Sequence, residues 1–134
     1  MQHVHKDWLS AEDFLVYVAD LFPFHPDWPD SGPISVHSAM ADGDTPLHVA
    51  SAWGDAKAVE LLLSAGALVN QAGDMELTAL HAATKDGHVE VADLLLRGGA
   101  NPHVKSGFGT SPYQIAMNEG NPELRGVFAS YAGP

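Results

Sequence analysis

The sequence predicts an all-α solenoid, a row of small helix–turn–helix units with a capping helix at its N-terminal end. Three observations predict it. Thr45-Pro46-Leu47-His48, Thr78-Ala79-Leu80-His81 and Ser111-Pro112-Tyr113-Gln114 begin 33 residues apart, twice in succession, and a fixed period of that size marks stacked copies of one supersecondary unit. Within each copy the apolar residues recur at helical spacing. Between copies lie turn-forming stretches, Ala41-Asp42-Gly43-Asp44, Ala72-Gly73-Asp74-Met75 and Ser106-Gly107-Phe108-Gly109.

The first element is an amphipathic helix over residues 11 to 22, with Phe14, Leu15, Val18, Leu21 and Phe22 at helical spacing. Ser10 and Asp13 form its capping box, in which the hydroxyl accepts from a first-turn amide and the carboxylate reaches back. Pro23 stops it. Pro23, Pro26, Pro29 and Pro33, with Trp28 among them, predict a rigid extended connector, because proline removes a donor and restricts the residue before it. Residues 1–33 are thus a capping helix and a Pro-rich connector, and residues 34–134 are the repeats.

In the first unit (about 42–73) Thr45 caps a short helix and Pro46 takes its first position, where a missing amide costs nothing. That helix runs to about Ala52 and ends at Trp53-Gly54. A second helix, Ala56 to Ser64, carries Val59, Leu62 and Leu63 on one face, and Gly66 closes it in a left-handed conformation. The second unit (74–106) repeats the plan: Thr78 caps, Gly87 turns, the helix runs from Val89 to Arg97, and Gly98-Gly99 stop it. In the third (107–134) Ser111-Pro112 start a helix, Gly120 turns and Asn121-Pro122 cap the last.

These residues resemble the ankyrin repeat. The resemblance rests on Gly43-Asp44-Thr45-Pro46-Leu47-His48-Val49-Ala50-Ser51-Ala52-Trp53-Gly54-Asp55 with Val59 to Ala67, and on Thr78-Ala79-Leu80-His81-Ala82-Ala83 with Gly87 to Asn101. Two complete motifs in register are a specific signal. The departures inform too. Glu76 stands where the family usually has glycine at the hairpin turn, so that finger is expected to bend differently. The third unit has Tyr113-Gln114 for leucine-histidine, and Arg125-Gly126 where the second has Ala92-Asp93. A terminal copy faces water on one side, so a more polar, shortened, degenerate copy suits a C-terminal cap. The helix with Phe14, Leu15 and Val18 is expected to pack as the opposite cap.

The bulk composition narrows the function. Seventeen acids against six bases give a formal charge of -11, which argues against nucleic acid and against an anionic membrane surface, since both select cationic patches. It fits a basic protein partner, whose encounter opposite charge accelerates, or simply solubility. There is no cysteine, hence no disulfide, thiolate metal cage or thiol nucleophile. No apolar run approaches a membrane span. Met1-Gln2-His3-Val4-His5-Lys6-Asp7 lacks the basic head and apolar stretch of a secretory signal, so a cytoplasmic monomer is expected.

Catalytic and metal readings weaken residue by residue. The resemblance assigns His48 and His81 to hydrogen bonds with the repeat-start threonine and neighbouring backbone, and His88 to an inter-helix turn. His3, His5, His25, His37 and His103 show no ligand spacing on one helix face. Met1-Gln2-His3 could chelate copper through a free N-terminus, a property of many sequences. No nucleophile elbow occurs, and Gly107-Phe108-Gly109 lacks the setting of a nucleotide loop. Asp42 and Asp44 could be drawn as an acid–base pair, but turn residues open to solvent are the simpler reading. No catalytic residue, cofactor or metal is expected.

Ankyrin arrays bind through hairpin tips and the exposed side of each unit's first helix. Carried onto this chain, the resemblance implies a surface of Asp42, Asp44 and Trp53 in the first unit. Asp74, Met75, Leu77, Lys85 and Asp86 follow from the second, then Phe108, Thr110, Asn118 and Glu119 from the third. Trp53 is the sharpest prediction: its position is solvent-facing in the family, so an exposed ring is expected to anchor a partner. The alternative folds Trp53 onto the N-terminal segment and packs Phe108 under the last hairpin. The expected function is non-enzymatic protein binding. Small acidic ankyrin proteins with an unrelated N-terminal helix look like bacterial immunity proteins, which would make the partner a cognate toxin with a basic surface. A cytosolic scaffold or regulatory adaptor is the rival, and an undetected hydrolase using the acids the remote one.

Overall fold

The computed structural model describes residues 7–21, 34–40 and 42–132. Phe22, the connector from Pro23 to Pro33 with Trp28, and His3, His5 and His25 lie outside the described residues, as does the Met1-Gln2-His3 start. Seven helices and no strand occur among those described: α1 (Ala11–Leu21), α2 (Pro46–Trp53), α3 (Ala56–Ser64), α4 (Ala79–Lys85), α5 (Val89–Arg97), α6 (Pro112–Asn118) and α7 (Pro122–Ala132). A single 3₁₀ turn covers Asp74–Glu76.

The helices form two rows. The short helices α2, α4 and α6 stack in an inner row; α3, α5 and α7 stack behind them, and α1 packs on α3 at the N-terminal end. Alanine makes the inner row possible: Ala50, Ala83 and Ala116 are fully buried at equivalent positions, where larger side chains would hold the helices apart. The outer row contributes bulk, with Val59, Leu62, Val91, Leu95, Leu124 and Phe128 sealed from solvent. Leu47 and Leu80 are buried in the same core.

Helix ends follow the chemistry of their caps. Ser111 Oγ accepts from Gln114 N at 3.2 Å, and Gln114 Oε1 accepts from Ser111 N at 2.9 Å, a reciprocal capping box. His48 and His81 play the part of Gln114 in the earlier units, as described below. Asp55, His88 and Asn121 occupy one equivalent position and solve its problem in three ways. Asp55 Oδ1 accepts from Ala58 N, and Asn121 Oδ1 accepts from Glu123 N and Leu124 N. His88 makes no cap bond and instead pairs through Nε2 with Ala52 O at 3.0 Å. Gly54 has φ 73°, and a Cβ there would lie 2.6 Å from the His88 ring. Glycine satisfies both demands.

The N-terminal cap is built from aromatic rings. Phe14 and Val18 are fully buried. Trp8, one turn before α1, lies 5.2 Å from both Phe14 and Tyr17, and its indole N–H donates to Asp55 Oδ2 at 2.7 Å. Asp55, 1% exposed, thus caps α3 with one oxygen and holds the N-terminal segment with the other. Ser10 and Asp13 do cap α1, though the Asp13 carboxylate accepts from Leu9 N rather than from Ser10.

At the other end no finger follows the third unit among the described residues, while its last helix is longer than its equivalents. The last helix has 11 residues, against 9 in α3 and in α5. Ala65-Gly66 and Gly98-Gly99 end those helices, but the equivalent pair is Tyr131-Ala132, so nothing breaks the helix. Arg125 tolerates its place because no further unit covers it among the described residues. Ala92 is buried there in the second unit, whereas Arg125 is exposed and donates to Met117 O at 2.9 Å.

Candidate protein-binding surface

The finger turns between units are closed hairpins. Met40 N donates to Asp44 O, Gly73 N to Leu77 O and Ser106 N to Thr110 O, at 2.8–3.0 Å. The fingers are also tied to one another. Asp44 Oδ1 accepts from Asp74 N at 2.9 Å, and Met75 O accepts from Gly107 N at 2.7 Å. Asp42 Oδ1 accepts from Asp44 N within the first turn. Asp44 is therefore half-buried and spends its carboxylate on the neighbouring finger, which corrects the expectation of a free surface acid.

Two histidines fasten the inner row to the fingers. Thr45 N and Thr78 N donate to Nδ1 of His48 and His81 at 3.0 Å, which leaves the proton on Nε2. His48 Nε2 then donates to Leu77 O at 3.1 Å, and His81 Nε2 to Thr110 O at 2.9 Å. Each ring binds its own unit on one side and the next finger on the other. Burial lowers the His81 pKa below its ordinary value of 6.5, opposed in part by its backbone partners Thr110 and Val104. Gln114 fits the last unit for the same reason: no finger follows it among the described residues, so only the cap bond is needed.

The second finger keeps the left-handed backbone of its neighbours at Glu76, as Gly43 and Gly109 do at φ 98° and 81°, and differs from them at Met75. Met75 has φ 54° and Glu76 φ 60°, left-handed conformations that cost L-residues about 1–2 kcal/mol each. The bend sets Met75 at the tip, 49% exposed, beside Phe108, 68% exposed on the third finger. Phe108 is held there by its amide, which donates to Ser106 Oγ at 3.2 Å. The alternative placing of Phe108 under the last hairpin does not occur.

Trp53 is where the sequence prediction fails. Its ring is half-buried and meets Phe14 edge-on at 6.1 Å and Tyr17 at 6.3 Å. The position is solvent-facing only when nothing packs beyond it, and here α1 does. Asp86 and Glu119, its equivalents in the later units, are exposed.

Five of the twelve expected residues come together. Leu77, Lys85, Phe108, Thr110 and Glu119 line one cleft of about 270 Å³ between the second and third units, completed by Ser106 and Ile115. Asp42, Asp74, Met75, Asp86 and Asn118 are exposed and do not line it. Sequence reasoning missed Ser106 and Ile115. Ile115 was findable: it follows Val49 and Ala82 in register, and exceeds the alanine in size. Among the described residues no group of three His, Asp or Glu could hold a metal ion, and no helix is long and apolar enough to cross a membrane.

A family model described as ankyrin repeats, in three copies, matches residues 21–106. No curated protein matches the chain.

Proposed function

The chain belongs to the ankyrin-repeat family, a family of protein–protein interaction modules, and from that premise we propose that its finger tips and inner helices form the binding face for one protein partner. The observation that carries this reading is the convergence of Leu77, Lys85, Phe108, Thr110 and Glu119 on one cleft, beside exposed Met75 and Phe108. Apolar anchors within a charged rim are the anatomy of a recognition surface. Trp53 has no place in it, because its ring is committed to the N-terminal cap.

Within that reading the partner carries a basic surface, and the role that fits an acidic chain of -11 is neutralisation of a cognate toxin. Carboxylates on the fingers would occupy a cationic groove that otherwise holds an anionic substrate. This role rests on charge and on analogy of fold. Affinity capture from the native host, followed by co-expression of the captured partner, tests it. Rescue of growth by the chain, lost on charge reversal at Asp42, Asp74 and Glu119, is the expected result. A captured partner that is not toxic would turn the reading towards an adaptor, and the absence of any partner would overturn both.

A further inference from the structure

Building on that binding reading, we propose that the cleft between the second and third units takes a single apolar side chain of an extended peptide segment, flanked there by Lys or Arg. Three of the lining side chains, Leu77, Phe108 and Ile115, are apolar. Neither they nor Met75 belong to the core cluster or pack against it. The fold thus keeps four apolar residues out of its own core, three of them lining the cleft from two adjacent fingers and α6, with Met75 exposed on the second finger. Exposed apolar surface gathered this way marks a binding site.

The size of the cleft limits the occupant. At about 270 Å³ it lies at the low end of the roughly 300–1,000 Å³ of small-molecule sites, room for one side chain with its backbone. Polar groups in the lining fit that backbone. Lys85 and Glu119 both line the cleft, and neither forms an ion pair with another described residue. An ammonium donor and a carboxylate acceptor are what the carbonyl and amide of an extended segment need.

Charge complementarity decides the flanks. Asp74 and Glu76 bracket Met75, Asp86 adjoins Lys85, and Glu119 stands in the lining itself, against Lys85 as the single lining base. Cationic flanks are attracted to that rim, and acidic flanks are repelled. The surface is also held in advance of binding. The Gly107 N–Met75 O and Phe108 N–Ser106 Oγ bonds fix both tips, which lowers the ordering cost of association. Met75 and Glu76 hold left-handed backbone that glycine would adopt without strain, and strained residues of this kind gather at ligand-binding sites.

Short labelled peptides with a central Leu or Phe between Lys and Arg residues, titrated with the full chain and read by fluorescence anisotropy, test the proposal. The expected result is saturable binding that weakens by about tenfold or more when the central residue is Ala or the flanks are Glu. Phe108→Ala and Ile115→Ala in the protein should cause the same loss, and Glu119→Lys should remove the preference for basic flanks. Unchanged circular dichroism would show that the variants fold, and exposed Phe108 and Glu119 make folding failure a poor explanation. Absence of binding across the panel, or binding indifferent to Phe108→Ala and Ile115→Ala, overturns the proposal. The two readings fail separately: a captured partner whose affinity ignores those variants but falls on charge reversal at Asp42 keeps the binding module and removes the cleft.

Discussion

Replacing Trp8 with Phe keeps an aromatic ring but removes the indole N–H that the structure makes consequential. The indole N–H donates at 2.7 Å to Asp55 Oδ2, a carboxylate oxygen on a residue 1% exposed to solvent. A hydrogen bond to a charged group contributes roughly 1.5–3 kcal/mol net. Phe retains a ring beside Phe14 and Tyr17, so most of the packing survives. The expected loss is therefore about 2–3 kcal/mol, which lowers a urea midpoint by roughly 1 M for an m-value of about 2 kcal/mol/M. Because the bond joins the N-terminal segment to α3, α1 should open before the repeats, and tryptophan fluorescence should change at lower urea than circular dichroism. A double-mutant cycle isolates the bond. Asp55→Asn preserves the helix cap but weakens the acceptor, so Trp8→Phe should cost about 1 kcal/mol less in that background. A single-variant loss below about 0.5 kcal/mol, or a coupling indistinguishable from zero, would refute the claim that this bond docks the cap.

Trp53→Ala should destabilise the chain by about 2 kcal/mol, half of what a fully buried Trp loses, and leave partner affinity unchanged; a stable variant that binds weakly would return Trp53 to the interface. His81→Gln preserves the cap, as Gln114 shows, but loses the bond to Thr110 O at a cost of about 1 kcal/mol. Its effect depends on pH with a definite sign. His81 titrates below 6.5 when folded, so its contribution is complete above 6.5. It is lost as pH falls from there through the lowered folded value, because the unfolded chain takes up the proton first. The stability gap between wild type and His81→Gln should shrink over that window, and a gap that widens would contradict it. Glu76→Gly should stabilise by about 0.5–1 kcal/mol, since relief of the left-handed strain exceeds glycine's added entropy cost; a lower urea midpoint would show the strain is absent.

What could be read from the sequence was what depends on near neighbours along the chain. The 33-residue period, the caps at Thr78 and Ser111, and the glycines at 66, 98 and 99 are local facts, and helices α3 and α5 end where they indicated. The missing glycine at 76 did not decide the finger: Glu76 takes the left-handed backbone of Gly43 and Gly109 all the same, and the finger departs from its neighbours at Met75. The absence of a stop at Tyr131-Ala132, a local fact, could have foretold the full length of α7. The tertiary structure decided which side chains remain free. Trp53 looked exposed by its place in the repeat, and α1, distant in sequence, covers it. Trp8 carries no periodic signal, and its partner Asp55 is 47 residues away. Asp44 looked like a free acid until Asp74 N, 30 residues on, claimed it. Exposure and hydrogen-bond partnership are set by neighbours in space, so a period read along the chain supplies positions but not their surroundings. The cleft at Leu77, Phe108 and Ile115 exists because two fingers and two inner helices meet there.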